Sequence, residues 1–110
     1  MIGGFTLTNP LTGAQKQYLR GVAHPLKPVV IIGQKGIVDS VIAAVEEALK
    51  AHELIKIKFR DIKEKEEKKV LLTGLEEKTG CRLCGLTGHV AIVFRQNKDP
   101  KKRKINLHSI

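Results

Sequence analysis

An unbroken apolar run, Val29-Val30-Ile31-Ile32, passes directly into Gly33-Gln34-Lys35-Gly36 and then into a segment of helical periodicity. That succession constrains the chain more than any other feature, because it reads as a strand, a glycine-framed loop and a helix N-terminus. Apolar residues in succession, rather than in alternation, predict a strand covered on both faces. Val38, Val41, Ile42, Val45 and Leu49 then recur at helical spacing and predict a helix from Ile37 to Ala51. Asp39 falls in its first turn, where a carboxylate complements the helix dipole.

The flanking segments extend this βα unit. Thr12 and Gln15 have capping-box spacing, so a first helix starts near Thr12, with Leu11, Tyr18, Leu19 and Val22 as its apolar stripe. Lys16 and Arg20 share its polar face. The helix must end before His24-Pro25, since the residue before proline is driven out of the α region. Leu26-Lys27-Pro28 is a stiff connector into the first strand. In Leu54–Arg60, Ile55, Ile57 and Phe59 alternate with Lys56, Lys58 and Arg60, which gives a strand with one apolar and one basic face. A charge-dense turn leads to a third helix over Lys65–Thr79, with Val70, Leu71 and Leu75 inward and Gly80 as its stop. Arg82–Leu86 and Val90–Arg95 read as two strands joined at Gly88. The expected fold class is a single α/β (α+β) domain of order αβαβαββ over residues 11–96. A basic tail occupies 97–110, and an unstructured arm or cloning remnant occupies 1–10.

The chain has 110 residues, with 20 Lys+Arg against 11 Asp+Glu and a formal net charge of +9. Such a balance favours a polyanionic partner. No apolar run reaches the length of a membrane span, and the N-terminus lacks the pattern of a signal peptide, so a cytoplasmic location and no membrane partner are expected.

Three stretches are candidate sites. Gly33–Gly36 lies ahead of a helix N-terminus and carries Gln34 and Lys35. Its backbone N–H groups and its lysine suit a phosphodiester, whereas its plain alternative is an ordinary βα turn. A second G-x-x-G string, Gly85-Leu86-Thr87-Gly88, has no cation and reads as hairpin turn chemistry. Cys81, Cys84 and His89 have the spacing of most of a zinc knuckle, but the fourth ligand would fall at Phe94, so no metal is expected. The histidines at 24, 52, 89 and 108 are scattered, His52-Glu53 has no partner at metal spacing, and no catalytic constellation emerges. Neither an enzyme, a cofactor nor a small-molecule substrate is expected.

Longer ordered stretches then come into play: Leu11 through Pro28, Ile32-Gly-Gln-Lys-Gly36, His52-Glu-Leu-Ile-Lys-Ile-Lys58, and Gly88 ahead of Ile92-Val-Phe-Arg95. Over residues 11–107 the sequence closely resembles the CRM-domain family, and within it the bacterial single-domain YhbY-like RNA-binding proteins. The resemblance implies a mixed four-stranded sheet, similar to the C-terminal domain of a bacterial translation initiation factor. It also implies RNA binding through the G-x-x-G loop, as in KH domains. Bacterial members are associated with precursors of the large ribosomal subunit, and plant organellar relatives assist intron splicing. The family's loop glycines match Gly33 and Gly36, its variable pair matches Gln34 and Lys35, and Arg20, Lys27, Lys56, Lys58 and Arg95 fall in matching segments. Lys104-Ile105-Asn106-Leu107 resembles the family's ending.

The expectation is thus a monomeric, non-catalytic RNA-binding protein acting on ribosomal RNA in large-subunit precursors. Gly33, Gln34, Lys35 and Gly36 would form the main contact, with Lys16, Arg20, Lys27, Lys56, Lys58 and Arg95 extending it. With one Tyr and three Phe, stacking of bases on aromatics is not expected. The competing expectation is a protein–protein adaptor on ribosomal particles whose charge serves solubility.

Overall fold

A computed structural model describes residues 11–105 and residue 107, so the reading of residues 1–10 as an arm lies outside the described residues. The elements are α1 (Gly13–Ala23), β1 (Pro28–Ile32), α2 (Asp39–His52), β2 (Leu54–Phe59), α3 (Lys65–Thr79), β3 (Arg82–Thr87), β4 (Val90–Phe94) and a 3-10 turn, Pro100–Lys102. The order is the αβαβαββ expected from the sequence. The four strands form one sheet in the order β1-β2-β4-β3. β1 runs parallel to β2, and the other two pairings are antiparallel, so the sheet is mixed.

Two cores lie on the two faces of this sheet. α2 and α3 cover one face, where Val30, Ile32, Val45, Leu49, Ile55, Ile57, Phe59, Leu72, Leu75, Ala91 and Val93 pack together. α1 covers part of the other, packing Leu19 and Ala23 on Leu54, Cys84 and Phe94, with Ile105 and Leu107 of the tail against them. β4 feeds both cores, Ala91 and Val93 on one side and Ile92 and Phe94 on the other.

β1 corrects one expectation. Its continuous apolar run predicted burial on both faces, yet Val29 is 54% and Ile31 45% exposed. β1 is an edge strand, and α1 sits over β3, β4 and the start of β2, so nothing covers the outward side of β1 among the described residues.

The helices show smaller shifts of the same kind. Thr12 accepts from Gln15 N at 3.1 Å and Gln15 Oε1 accepts from Thr12 N at 3.0 Å, a complete capping box that fixes where α1 begins. Its buried line is Leu19 and Ala23, one turn apart, while Tyr18 and Val22 are 43% and 37% exposed on its flank. α2 starts at Asp39 rather than Ile37, because Val38 takes the extended N-cap position. α3 spans the expected residues but buries Lys68, Leu72, Leu75 and Thr79, leaving Val70 70% exposed.

Candidate nucleic-acid interface

Parallel pairing of β1 and β2 brings their C-terminal ends together, Ile32 opposite Phe59. The loops after both strands therefore share one end of the sheet. Arg60 N donates to Ile32 O at 2.9 Å, and Gln34 Nε2 reaches Asp61 O at 3.4 Å. The β3–β4 turn joins them, because Phe59 N donates to His89 O at 2.7 Å. Buried Lys68 of α3 closes the group, its Nζ donating to Gly88 O at 2.9 Å and meeting His89 Nδ1 at 3.1 Å.

Gly33–Gly36 is a tight turn within this end, closed by Gly36 N donating to Gly33 O at 2.9 Å. Gly36 is buried with φ +75°, a conformation glycine adopts without strain. Lys35 is exposed and forms no hydrogen bond or ion pair among the described residues, and the amides of Gln34 and Lys35 are likewise unbonded there. A lysine with two unbonded amides is suited to a phosphate oxygen. The first turn of α2 contributes less, since it begins beyond the loop and already holds Asp39.

The other predicted residues do not form one track with this loop. Lys58 is exposed beside Ile31 on the open sheet face, directly below the loop end. Lys56 lies one row further down on that face, and its Nζ donates to His24 O at 3.1 Å. Arg20 lies over β3, across the sheet from β1. Its Nη1 donates to Cys84 O at 2.9 Å, and its methylenes cover Gly85, where a Cβ would stand 2.8 Å from Arg20 Cδ. Lys16 is half-buried one turn earlier on the same side of α1, and Lys27 is exposed in the connector that enters β1.

Arg95 sits at the far end of the sheet, and its guanidinium is already engaged. Nη1 bridges Glu46 Oε1 and Thr79 O, both at 2.8 Å. It ties α2 to the end of α3, so we assign it to the fold rather than to a ligand surface. Arg60, in contrast, emerges beside the loop because its amide is fastened to Ile32 just ahead of Gly33. The alternation Lys56, Lys58, Arg60 carries that signal in the sequence.

Glu53, which follows α2 directly, is a fastening point. It is buried with φ +62°, and its carboxylate accepts from Asn97 N at 2.6 Å, Lys104 N at 2.6 Å and Ile105 N at 3.1 Å. The basic tail is thereby held against β2 and β4. The cysteines are also structural. Cys81 enters the core under α2 and α3, and Cys84 enters the core under α1. Burial raises both thiols, Cys84 to about 12.

Charge divides the molecule. No Asp or Glu precedes Asp39, so α1, its exit, β1 and the glycine turn are free of acid. The strand residues on the face shared with α1 are also free of it: Val29 and Ile31, Leu54, Lys56 and Lys58, Val90, Ile92 and Phe94. The carboxylates lie on α2, on the segment from Asp61 through α3, at Glu53 and at Asp99.

A mixed-sheet α/β domain with a glycine-framed βα turn beside a basic, acid-free face defines the class of protein. Within that class the chain belongs to the CRS1/YhbY (CRM) domain family, whose family model matches residues 11–95. It is 35% identical over 91 residues to an RNA-binding protein of Haemophilus influenzae, covering 83% of this chain and 91% of that one. It is 36% identical over 97 residues to a probable RNA-binding protein of Pseudomonas aeruginosa, covering 88% and 92%. The solution structure of a Staphylococcus aureus hypothetical protein, described as a candidate RNA binder, superposes with a TM-score of 0.74 at 33% identity. The match covers 87% of this chain and 99% of that one.

Proposed function

We propose that this protein is a non-catalytic RNA-binding protein that assists assembly of the large ribosomal subunit by binding ribosomal RNA in its precursors. The observation that carries the RNA reading is the Gly33–Gly36 turn, whose Lys35 and two amides have no partner among the described residues, at the head of an acid-free face. The names of the relatives support it. The resemblance to bacterial single-domain family members supports the ribosomal target.

The turn holds a phosphodiester, and Lys58 and Arg60 flank it. Phosphate contacts of this kind set position and register, and they act on any sequence. Lys35→Glu replaces attraction by repulsion at the loop without touching a packed side chain. Binding to protein-free ribosomal RNA is expected to weaken about tenfold or more at moderate salt, with an unchanged melting temperature. Equal binding by wild type and variant would reduce the loop to a turn. Co-sedimentation of the protein with large-subunit precursors tests the ribosomal part separately.

A further inference from the structure

The open face of β1 remains without a role in this scheme. Val29 and Ile31 are branched aliphatic residues, 54% and 45% exposed on an edge strand. Ile31 pairs with Lys58 across the ladder, and Ile32 leads directly into the glycine turn. An apolar strip with a lysine alongside thus begins where the phosphate-holding loop ends.

We infer that this strip is the seat for the unpaired bases of a single RNA strand whose backbone is held at Gly33–Gly36. The inference rests on the RNA reading above and specifies the ligand: single-stranded RNA, read through base contact with aliphatic side chains. Charge decides the direction of the strand. Leaving the loop over α3, a polyanion would meet Asp61, Glu64, Glu66 and Glu67. Leaving it over β1 and β2, it meets Lys58 and then Lys56, and no carboxylate belongs to that face. Lys58 forms no hydrogen bond or ion pair among the described residues, so it is available to the next phosphate. The faces of the bases are apolar and exposed when unpaired, and they lose water against Val29 and Ile31.

The test compares a short single-stranded oligouridylate with an abasic ribose-phosphate oligomer of equal length, each titrated into the full chain by fluorescence anisotropy. Val29→Ser with Ile31→Ser removes roughly half-exposed apolar surface at two positions. It is expected to weaken oligouridylate binding about tenfold and to leave the abasic oligomer unaffected. Lys35→Glu is expected to weaken both. Photo-cross-linking of wild-type protein to RNA containing 4-thiouridine is expected to label the peptide carrying Val29–Ile32, a readout independent of how well the variant folds. The inference is overturned if the double variant binds oligouridylate as wild type does, or if labelling falls only on the loop or tail. It is equally overturned if the double substitution leaves RNA binding intact but converts a dimer to a monomer in sedimentation, which would make a second copy the occupant. Loss of the Lys35→Glu effect as well would instead sink the RNA reading of the loop.

Discussion

Gly36 holds φ at +75°, and a Cβ there would stand 3.3 Å from Leu71 Cδ2. Gly33, at the other end of the turn, has no atom within 4 Å of a Cβ and is not among the positive-φ residues. Alanine at Gly36 therefore strains the backbone and crowds α3, for a loss of about 1–2 kcal/mol and a melting point lower by about 5–10 °C. Alanine at Gly33 changes stability by less than ~0.5 kcal/mol, yet it adds a methyl where a phosphate would approach. Thermal melts and RNA titrations on the two variants should separate, with Gly36→Ala failing the first and Gly33→Ala only the second. Equal melting points would contradict the turn geometry. At the same scale, the cysteines are kept neutral by burial, Cys84 ionising only at about 12. Both should resist a thiol reagent at mildly alkaline pH until denaturant is added. Their raised values also make folding lose stability as pH rises from the ordinary value of 9.0 toward 12, because the unfolded thiols release protons first.

At the scale of elements, the tail and β1 are the informative pieces. Three backbone N–H groups, of Asn97, Lys104 and Ile105, end on the Glu53 carboxylate. Glu53→Ala leaves all three without that acceptor, and Ile105 and Leu107 lose the hold that seats them under α1. A destabilisation of about 3 kcal/mol is expected in denaturant titration, with faster amide exchange at those three residues than at Leu72 or Val93. Unchanged exchange would mean that Ile105 and Leu107 alone retain the tail. None of this was legible in the sequence, because a clasp between residues 53 and 104 leaves no periodic signal. Element order and type were legible, since capping residues, glycine stops and periodicity are local. Which strand lies at the edge was not. Val29–Ile32 and Val90–Phe94 are equally apolar, and only the pairing order β1-β2-β4-β3 makes one an open edge and the other doubly buried. The glycine turn was legible as a string, but its neighbours were not. Arg60 and the β3–β4 turn reach it through hydrogen bonds between segments far apart in the chain.

For the whole molecule, two groups among the 20 Lys and Arg stand too far apart for a short ligand to cover equally. One comprises Lys35, Lys58 and Arg60 around the loop end, with Lys56 below. The other is the tail, with Lys98, Lys101, Lys102, Arg103 and Lys104, held by Glu53 at the opposite end of β2. The length of β2 from Leu54 to Phe59 separates these ends by about 17 Å, at roughly 3.3–3.4 Å per residue. That is a few nucleotides of extended single strand, so a longer RNA can engage both groups and a very short one only the first. Each phosphate neutralised on a single strand adds about −0.7 to the slope of log affinity against log salt. Contact at the loop end alone gives a slope of about −2 to −3, and engagement of the tail adds roughly −1 to −2. Lengthening the RNA should therefore steepen the slope in one step, and Lys101→Glu with Lys102→Glu should abolish that step while leaving the slope for the shortest RNA unchanged. Lys35→Glu should weaken binding at every length. A slope that grows smoothly with length and ignores the tail charges would instead mean that the positive charge acts as a diffuse field, with no two-point grip on the strand.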